Sequence, residues 1–304
     1  MTADISFPLD QLPLLIANGL IFGCIYGVNG IGFGLLYNAT TIVNFTQGEF
    51  VVLGGMITYF LWKVVGLPLP VAMVLAVLSV MLIGVTCYGL AIRPLRLRQA
   101  RPWTYVFMLF AVATILATLT MLLFGDAPVS YPAFWKTTPW EVAGLSIAPQ
   151  GPWIVLGTIV LTAALDLFFR RTLTGKAMKA VAINSQAAAW LGISPERIVL
   201  YSFALTAGLG AITGILLTPL TPMQFNAGLS FTIKGFAAAI IGGYGSFTGA
   251  LLGGLIIGIL ESLTTAFFSA MYHDALTYAL LLFVLFVKPS GILTPLVELQ
   301  QEEV

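Results

Sequence analysis

RRTLTGKAMKAVAINSQAAAWLGISPER, residues 170–197, is the longest clearly polar, helix-compatible interruption between apolar runs in this chain. Membrane-grade sequence flanks it on both sides, so it is a loop between spans and not a domain standing in water. Its alanines (Ala177, Ala180, Ala182 and Ala187 to Ala189) predict a helix, and Gly192 marks the stop. The residues alone leave two readings of that helix open. Its small side chains make a smooth surface that another protein's groove can accept. Alternatively it lies on the membrane, with Met178, Val181 and Trp190 dipped in lipid.

The chain of 304 residues is 59% hydrophobic and 8% charged, where a soluble domain carries about 25% charged residues. That excludes one water-soluble core and predicts an all-α, polytopic transmembrane bundle. Apolar runs at about 12–36, 47–65, 69–92, 103–124, 152–169, 198–218, 233–260 and 262–287 give about eight spans. The whole of 1–304 reads as a single transmembrane domain. Two stretches break the apolar pattern, VNFTQGEFVVLGG at 43–55 and GFAAAIIGGYGSFTGALLGG at 235–254. Irregular backbone at membrane depth survives only where protein or a water-lined cavity covers it, so both predict broken or re-entrant helices. The N-terminal MTADISFPLDQLP has no Lys or Arg, unlike the basic start of a cleaved signal peptide, which predicts that the first span is retained.

Basic residues set the orientation. Arg93, Arg96, Arg98 and Arg101 lie two spans away from Arg170, Arg171, Lys176 and Lys179, so both groups fit the cytoplasmic face. The opposite loop, 125–151, has only Lys136. Five prolines near it (Pro128 to Pro152) and Trp135 and Trp140 suit a membrane interface or the docking of an external partner. The N-terminus is then outside, and the side of the C-terminus stays open. Glycines recur every fourth residue at 19, 23 and 27 and at 245, 249 and 253, with further pairs at 30/34, 210/214 and 254/258. Such faces predict close helix packing.

Little catalytic chemistry is available. The sole histidine, His273, stands at a span edge beside Asp274. No HExxH, CxxC or GxxxxGK[ST] occurs, so no metal site, redox pair or P-loop is expected. Cys24 and Cys87 read as small buried apolar residues. The net charge of +1 argues against a nucleic-acid partner. Among acids near spans, Asp166 can pair with Arg170 at i,i+4 and Glu261 is placed to reach an interface. Glu49 follows Asn44, Thr46 and Gln47. Two readings remain there: a capped helix start with Thr46 as N-cap, or a polar lining for a path through the membrane. An ion-coupled secondary amino-acid carrier is the alternative function, and a membrane enzyme is remote.

The 170–197 loop resembles the coupling loop of ABC importer membrane subunits, whose signature is Glu-Ala-Ala, three residues, then Gly. Here it stands as Gln186-Ala187-Ala188, three residues, then Gly192, preceded by Gly175-Lys176-Ala177-Met178-Lys179. GLIFGCIYGVNGIGFGLLY at 19–37, VNFTQGEFVVLGG at 43–55, FTIKGFAAAIIGGYGSFTGALLGGLIIGILE at 231–261 and KPSGIL at 288–293 resemble, in order, the LivH-like permeases of branched-chain (hydrophobic) amino acid importers. Thr46, Gln47 and Gln186 replace that family's commoner Ala, His and Glu. The resemblance covers nearly the whole chain.

It implies a type II-like ABC importer permease in a bacterial inner membrane, with no ATPase site of its own. A second permease subunit, identical or paralogous, would share the pathway. Two ABC ATPase subunits, carrying the ATP and Mg, would dock under the 170–197 loops. An extracytoplasmic binding protein would deliver substrate: a branched-chain or other hydrophobic amino acid, or urea or a short amide as in sister systems. Gly175, Lys179, Gln186, Ala187, Ala188 and Gly192 are the expected coupling residues. Tyr26, Asn29, Asn44, Gln47 and Glu49 are the candidate path residues. No cofactor or metal is expected in this chain, and lipid is its remaining contact.

Overall fold

The structure is a computed structural model, described here over residues 12–40, 42–135, 138–142, 145–267, 273–288 and 291–293. The expectations for the N-terminal stretch, for Lys136 and for Pro289 and Ser290 fall outside these residues. The helices are α1 (Leu12–Thr40), α2 (Gln47–Lys63), α3 (Leu69–Cys87), α4 (Arg93–Leu97), α5 (Pro102–Phe124) and α6 (Gly151–Arg171). There follow α7 (Leu173–Ile183), α8 (Ser185–Trp190), α9 (Pro195–Leu217), α10 (Gly228–Gly242), α11 (Phe247–Phe267) and α12 (His273–Val287). A π-helical turn, Tyr88–Ile92, joins α3 to α4. It comes just before Pro94, which has no N–H to donate back along the helix and whose ring crowds the carbonyl four residues earlier.

Among the described residues, seven helical stretches are long and apolar enough to cross a membrane. The shorter α2 and α12, with 17 and 15 residues, complete the bundle. Its C-terminal third divides differently from the expectation. The apolar run 233–260 is not one span: it holds most of α10 and much of α11. The run 262–287 likewise holds the end of α11 and then α12. Gly243 and Gly245, at φ 106° and 95°, adopt a left-handed backbone that side chains resist, and they turn the chain between α10 and α11. The break falls inside the glycine-rich stretch 235–254 where an irregular helix is expected; apolar periodicity alone does not place the turn within it.

Close packing fixes the centre. α1 and α11 run antiparallel with their glycine faces together. A Cβ on Gly19 would lie 2.7 Å from the Cα of Ile259, and one on Gly23 2.7 Å from the Cα of Leu255. From the other side, a Cβ on Gly258 would lie 2.6 Å from the Cα of Gly23. The predicted small-residue faces therefore find each other, as expected where dispersion and backbone proximity drive helix association. α2 meets α9 in the same way: a Cβ on Gly54 would sit 2.5 Å from the Cα of Ala211. α3 and α5 instead turn much of their surface to lipid, with Leu82, Phe107 and Leu122 largely exposed.

The contacts also sort the ends. Asn38 Nδ2 donates to the Gly245 carbonyl at 3.0 Å, Arg93 pairs with Glu196 at 2.6 Å, and Val181 and Leu35 share one apolar cluster. One face thus holds the end of α1, the α10–α11 turn, α4, α7 and the start of α9. The N–H groups of Ile292 and Leu293 donate to the carbonyls of Ile241 and Gly242 at 2.9 and 3.0 Å, so the tail returns to this arginine-rich face. On the opposite face, a short hairpin forms from β1 (Trp140–Val142) and β2 (Leu145–Ile147). The Tyr131 hydroxyl and Gln150 Nε2 donate to the carbonyls of Ile215 and Leu216 at 2.8 and 3.1 Å. Those bonds tie the outer loop to the last turn of α9.

Candidate functional site

Two parts of the molecule gather the residues singled out in sequence, Tyr26 excepted. The first is the polar loop, which is two helices and not one. Thr172 caps α7, its hydroxyl accepting from Gly175 N–H at 3.0 Å. Asn184 ends α7 and begins α8, its Oδ1 accepting from the N–H groups of Gln186 and Ala187 at 3.0 and 2.9 Å. That cap satisfies donors which a helix start otherwise leaves unbonded. Gly192, at φ 85°, closes α8 while Ile193 N–H donates to the Ala188 carbonyl at 3.0 Å, a glycine-type helix stop.

The reading with Met178 and Val181 in lipid is corrected by their packing. Both are buried in the protein, in a cluster with Val28, Ile31, Leu165 and Phe169. Gly175 brings α7 against α6: a Cβ there would lie 2.7 Å from the Cα of Phe169. Ala188 is also buried. Gly175 and Ala188 therefore anchor the element, and Ala187 is half-buried. Lys176, Lys179 and Gln186 face outward, together with Trp190 and Leu191, each 81% exposed. An element held by one face and bare on the other can receive force at its tip and pass it to α1, α6 and α9. Position 186, on the bare face, is a neutral amide.

The second part is the polar entry to α2. Asn44, Thr46 and Gln47 are fully buried, and Asn29 and Glu49 nearly so. Asn44 Oδ1 accepts from the Thr46 N–H at 3.1 Å and from the Thr46 hydroxyl. Thr46 stands at the N-cap of α2 but makes no side-chain cap bond; its hydroxyl is turned to Asn44 instead. Gln47 Nε2 donates to the Thr206 carbonyl at 3.4 Å, and Gly48 N–H to Thr232 Oγ1 at 3.0 Å. The Glu49 carboxyl lies against Gly228 at the start of α10: a Cβ there would come 2.6 Å from Oε2. Asn29 Nδ2 donates to the Phe231 carbonyl at 2.6 Å. Asn29, Gln47 and Glu49 each keep one buried oxygen without a hydrogen-bond partner, as does the Asn44 amide nitrogen. Buried polar atoms are rarely left so. The segment 42–46 therefore enters the membrane as irregular backbone covered by α1, α9 and α10, and α10 is the wall that Asn29, Gly48 and Glu49 share.

Tyr26 belongs to a third group that the sequence reading did not assemble. Lys234 on α10 sits over the Tyr26 ring, with Nζ 5.3 Å from its centroid, and lies 3.5 Å from the Tyr26 hydroxyl. The same Nζ pairs with Glu261 Oε1 at 2.7 Å and Asp274 Oδ1 at 3.1 Å. Glu261 turns into the bundle, its side chain 14% exposed and that of Lys234 only 6%. The available signal was Lys234 itself, the only Lys or Arg between Arg197 and Lys288. By contrast the Asp166–Arg170 pair forms as expected, at 2.7 Å on the surface. Cys24 and Cys87 are free and buried.

Residues 15–285 match the family described as the permease component of branched-chain amino acid transport systems. The high-affinity branched-chain amino acid transport system permease protein LivH of Salmonella typhimurium is 30% identical over 291 residues, 91% of this chain and 93% of that protein. Its counterpart BraD of Pseudomonas aeruginosa is 29% identical over 293 residues, 91% of this chain and 94% of BraD. The ribose import permease protein RbsC of Haemophilus influenzae is 26% identical over 236 residues, 73% of this chain and 69% of RbsC. Among solved structures, PsaBC from Streptococcus pneumoniae, determined in complex with Fab, shares the fold. The TM-score is 0.55 at 12% identity, covering 93% of this chain and 95% of that one.

Proposed function

We propose a transport role for this chain, which belongs to the family of branched-chain amino acid transport system permease components and is a multi-pass permease subunit of an ABC importer. The ATPase of such a system is a separate subunit, so α7 and α8 have a partner to meet. The substrate we assign is a branched-chain or other hydrophobic amino acid, with urea or a short amide as the alternative. The membrane is the bacterial inner membrane. The assembly holds a second permease copy or paralogue, two ATPase subunits with ATP and Mg, and an extracytoplasmic binding protein.

The observation that carries this reading is the two-sided α7–α8 element. Met178, Val181 and Ala188 are buried in the bundle, while Trp190 and Leu191 stand bare at the tip. ATP-driven closure of the partner subunits moves that tip. Lys179, Gln186 and Ala187 line the contact, Gly175 and Ala188 transmit the movement to α6 and α1, and Gly192 sets the turn back to α9. Asn29, Asn44, Gln47 and Glu49 line the path with Tyr26, and their unpaired polar atoms support hydrated passage there.

The test is co-expression with the neighbouring ATPase and binding-protein subunits, asking which ligand-loaded binding protein stimulates ATP hydrolysis. Loading with leucine, isoleucine or valine is expected to do so. Stimulation by none of them would move the substrate to urea, an amide or a sugar. In the same assembly, Trp190→Ser is expected to lower co-purification of the ATPase at least about tenfold while the permease keeps its melting temperature, since hot-spot aromatics dominate interfaces. Undiminished co-purification and uptake would remove the coupling role.

A further inference from the structure

We propose that Lys234, Glu261 and Asp274, with the Tyr26 ring beside the ammonium, form a receiving site for the zwitterionic head of an amino acid on its way through the bundle. The proposal rests on the amino-acid reading above and names the residues that would hold the substrate.

An ionisable group inside a membrane bundle is expensive, and it marks a functional site with a definable partner. Here Lys234 is buried and Glu261 largely so, and a partly exposed third, Asp274, joins them, from three helices in all. Lys234 comes from α10, Glu261 from the last third of α11 and Asp274 from the first turn of α12. Their depth follows from the neighbours. Ser262, next to Glu261, donates to the Leu15 carbonyl near the outer start of α1 at 2.7 Å. Tyr26 stands 11 residues further along α1, about 16 Å at 1.5 Å per residue. The charged atoms, gathered within 3.5 Å of the Lys234 ammonium, lie within that interval, so a solute released from outside meets them before the polar entry at 42–49.

The composition of the cluster selects its ligand. A simple cation entering it meets the Lys234 ammonium, and a simple anion meets two carboxylates. A dipolar ion meets neither objection. Its α-carboxylate can take Lys234 Nζ from one of the acids, and its α-ammonium can go to the carboxylate so released, beside the Tyr26 face. Each buried charge then keeps an opposite partner throughout, which is the condition for holding ions in a low-dielectric site. The present contacts at 2.7 and 3.1 Å are the self-satisfied resting state of that exchange. Entry is from the side of Asp274, whose side chain is 41% exposed while those of Lys234 and Glu261 are 6% and 14% exposed. An apolar substrate side chain finds Phe22 in the same stretch of α1, its ring stacked on Tyr26 with centroids 6.5 Å apart.

A structural ion cluster makes the opposite prediction when all its charges are removed together. Breaking one partner of a buried pair leaves an uncompensated charge, whereas replacing the whole set by neutral groups does not. The experiment is uptake of radiolabelled leucine by the complete transporter in proteoliposomes, with co-purification of the subunits measured in parallel. Lys234→Met is expected to abolish uptake. The triple variant Lys234→Met/Glu261→Gln/Asp274→Asn is expected to assemble and still to transport at least about tenfold more slowly than the wild type. Asp274→Asn alone, which keeps the buried Lys234–Glu261 pair, is expected to assemble normally and to lower uptake several-fold. Wild-type uptake in the triple variant, or in Asp274→Asn should the triple variant fail to assemble, overturns the site while leaving the functional reading standing. A wild-type transporter that moves urea or a sugar but no amino acid overturns both.

Discussion

A Cβ on Gly175 would lie 2.7 Å from the Cα of Phe169, and closer still to the Phe168 carbonyl. Neither is the yielding end of a side chain, so Gly175→Val must push α7 away from α6. Overpacking of this kind costs about 1–3 kcal/mol, expected as a lower melting temperature together with weaker coupling of ATP hydrolysis to uptake. At Asn184 the stake is hydrogen bonds: Asn184→Ala removes the cap from two α8 N–H groups, worth about 1 kcal/mol. Hydrogen exchange should show α8 opening more readily in that variant while α7 is unchanged. Gly89 is the control, since a Cβ there meets nothing within 4 Å; Gly89→Ala should leave both measurements as they are. Residue-scale legibility was uneven for a physical reason. Asp166 and Arg170 are four apart on one helix face, so their pairing can be read directly. Lys234 and Glu261 are 27 apart, and only the turn between α10 and α11 brings them together.

At the scale of elements, small residues decide which helices meet. The glycines at 19, 23 and 27 were legible as a packing face, but their partner was not, because several other helices offer the same spacing. The antiparallel fit of α1 on α11 selects it, backbone against backbone at both Gly23 and Gly258. Gly258→Leu should therefore cost far more than an enlargement at the periphery: folded, monodisperse permease is expected to be lost, while Leu78→Phe on the lipid face of α3, at 56% exposure, is tolerated. Size-exclusion profiles in detergent would separate the two, and a normal profile for Gly258→Leu would count against the tight α1–α11 contact. The same limit applied to the polar loop. Its helical composition could be read from alanines, but Asn184 is compatible with a helix interior or a cap, and only α7 folding onto Phe169 and Leu165 decides for the cap. The irregular stretches at 43–55 and 235–254 could be read because Asn, Gln, Glu and clustered Gly interrupt apolar runs. The turn at 243–246 needs the positive φ of two glycines, which composition does not display.

For the whole molecule the outstanding consequence is sidedness. Arg93 to Arg101, Arg170 to Lys179 and Arg197 lie at the end of the bundle that also holds the α10–α11 turn. By the bias of basic residues toward the cytoplasm that end is inside. The start of α1 lies at the end of the bundle away from Asn38 and is therefore outside, while the tail after α12, bonded to the end of α10, is inside. Sequence alone left this open, because eight full spans put the C-terminus outside whereas a re-entrant 235–254 puts it inside. The backbone bonds of Ile292 and Leu293 to α10 decide it independently of any count of helices. In a variant lacking Cys24 and Cys87, single cysteines can report the result. Asp126→Cys on the outer loop should react with a membrane-impermeant maleimide in intact cells. Arg98→Cys and Lys288→Cys should react only after the membrane is opened. All three positions are exposed, so access depends on side and not on burial. Labelling of Lys288→Cys in intact cells would require α12 to end outside, and the hydrogen bonds that draw Ile292 and Leu293 to the end of α10 could not then form.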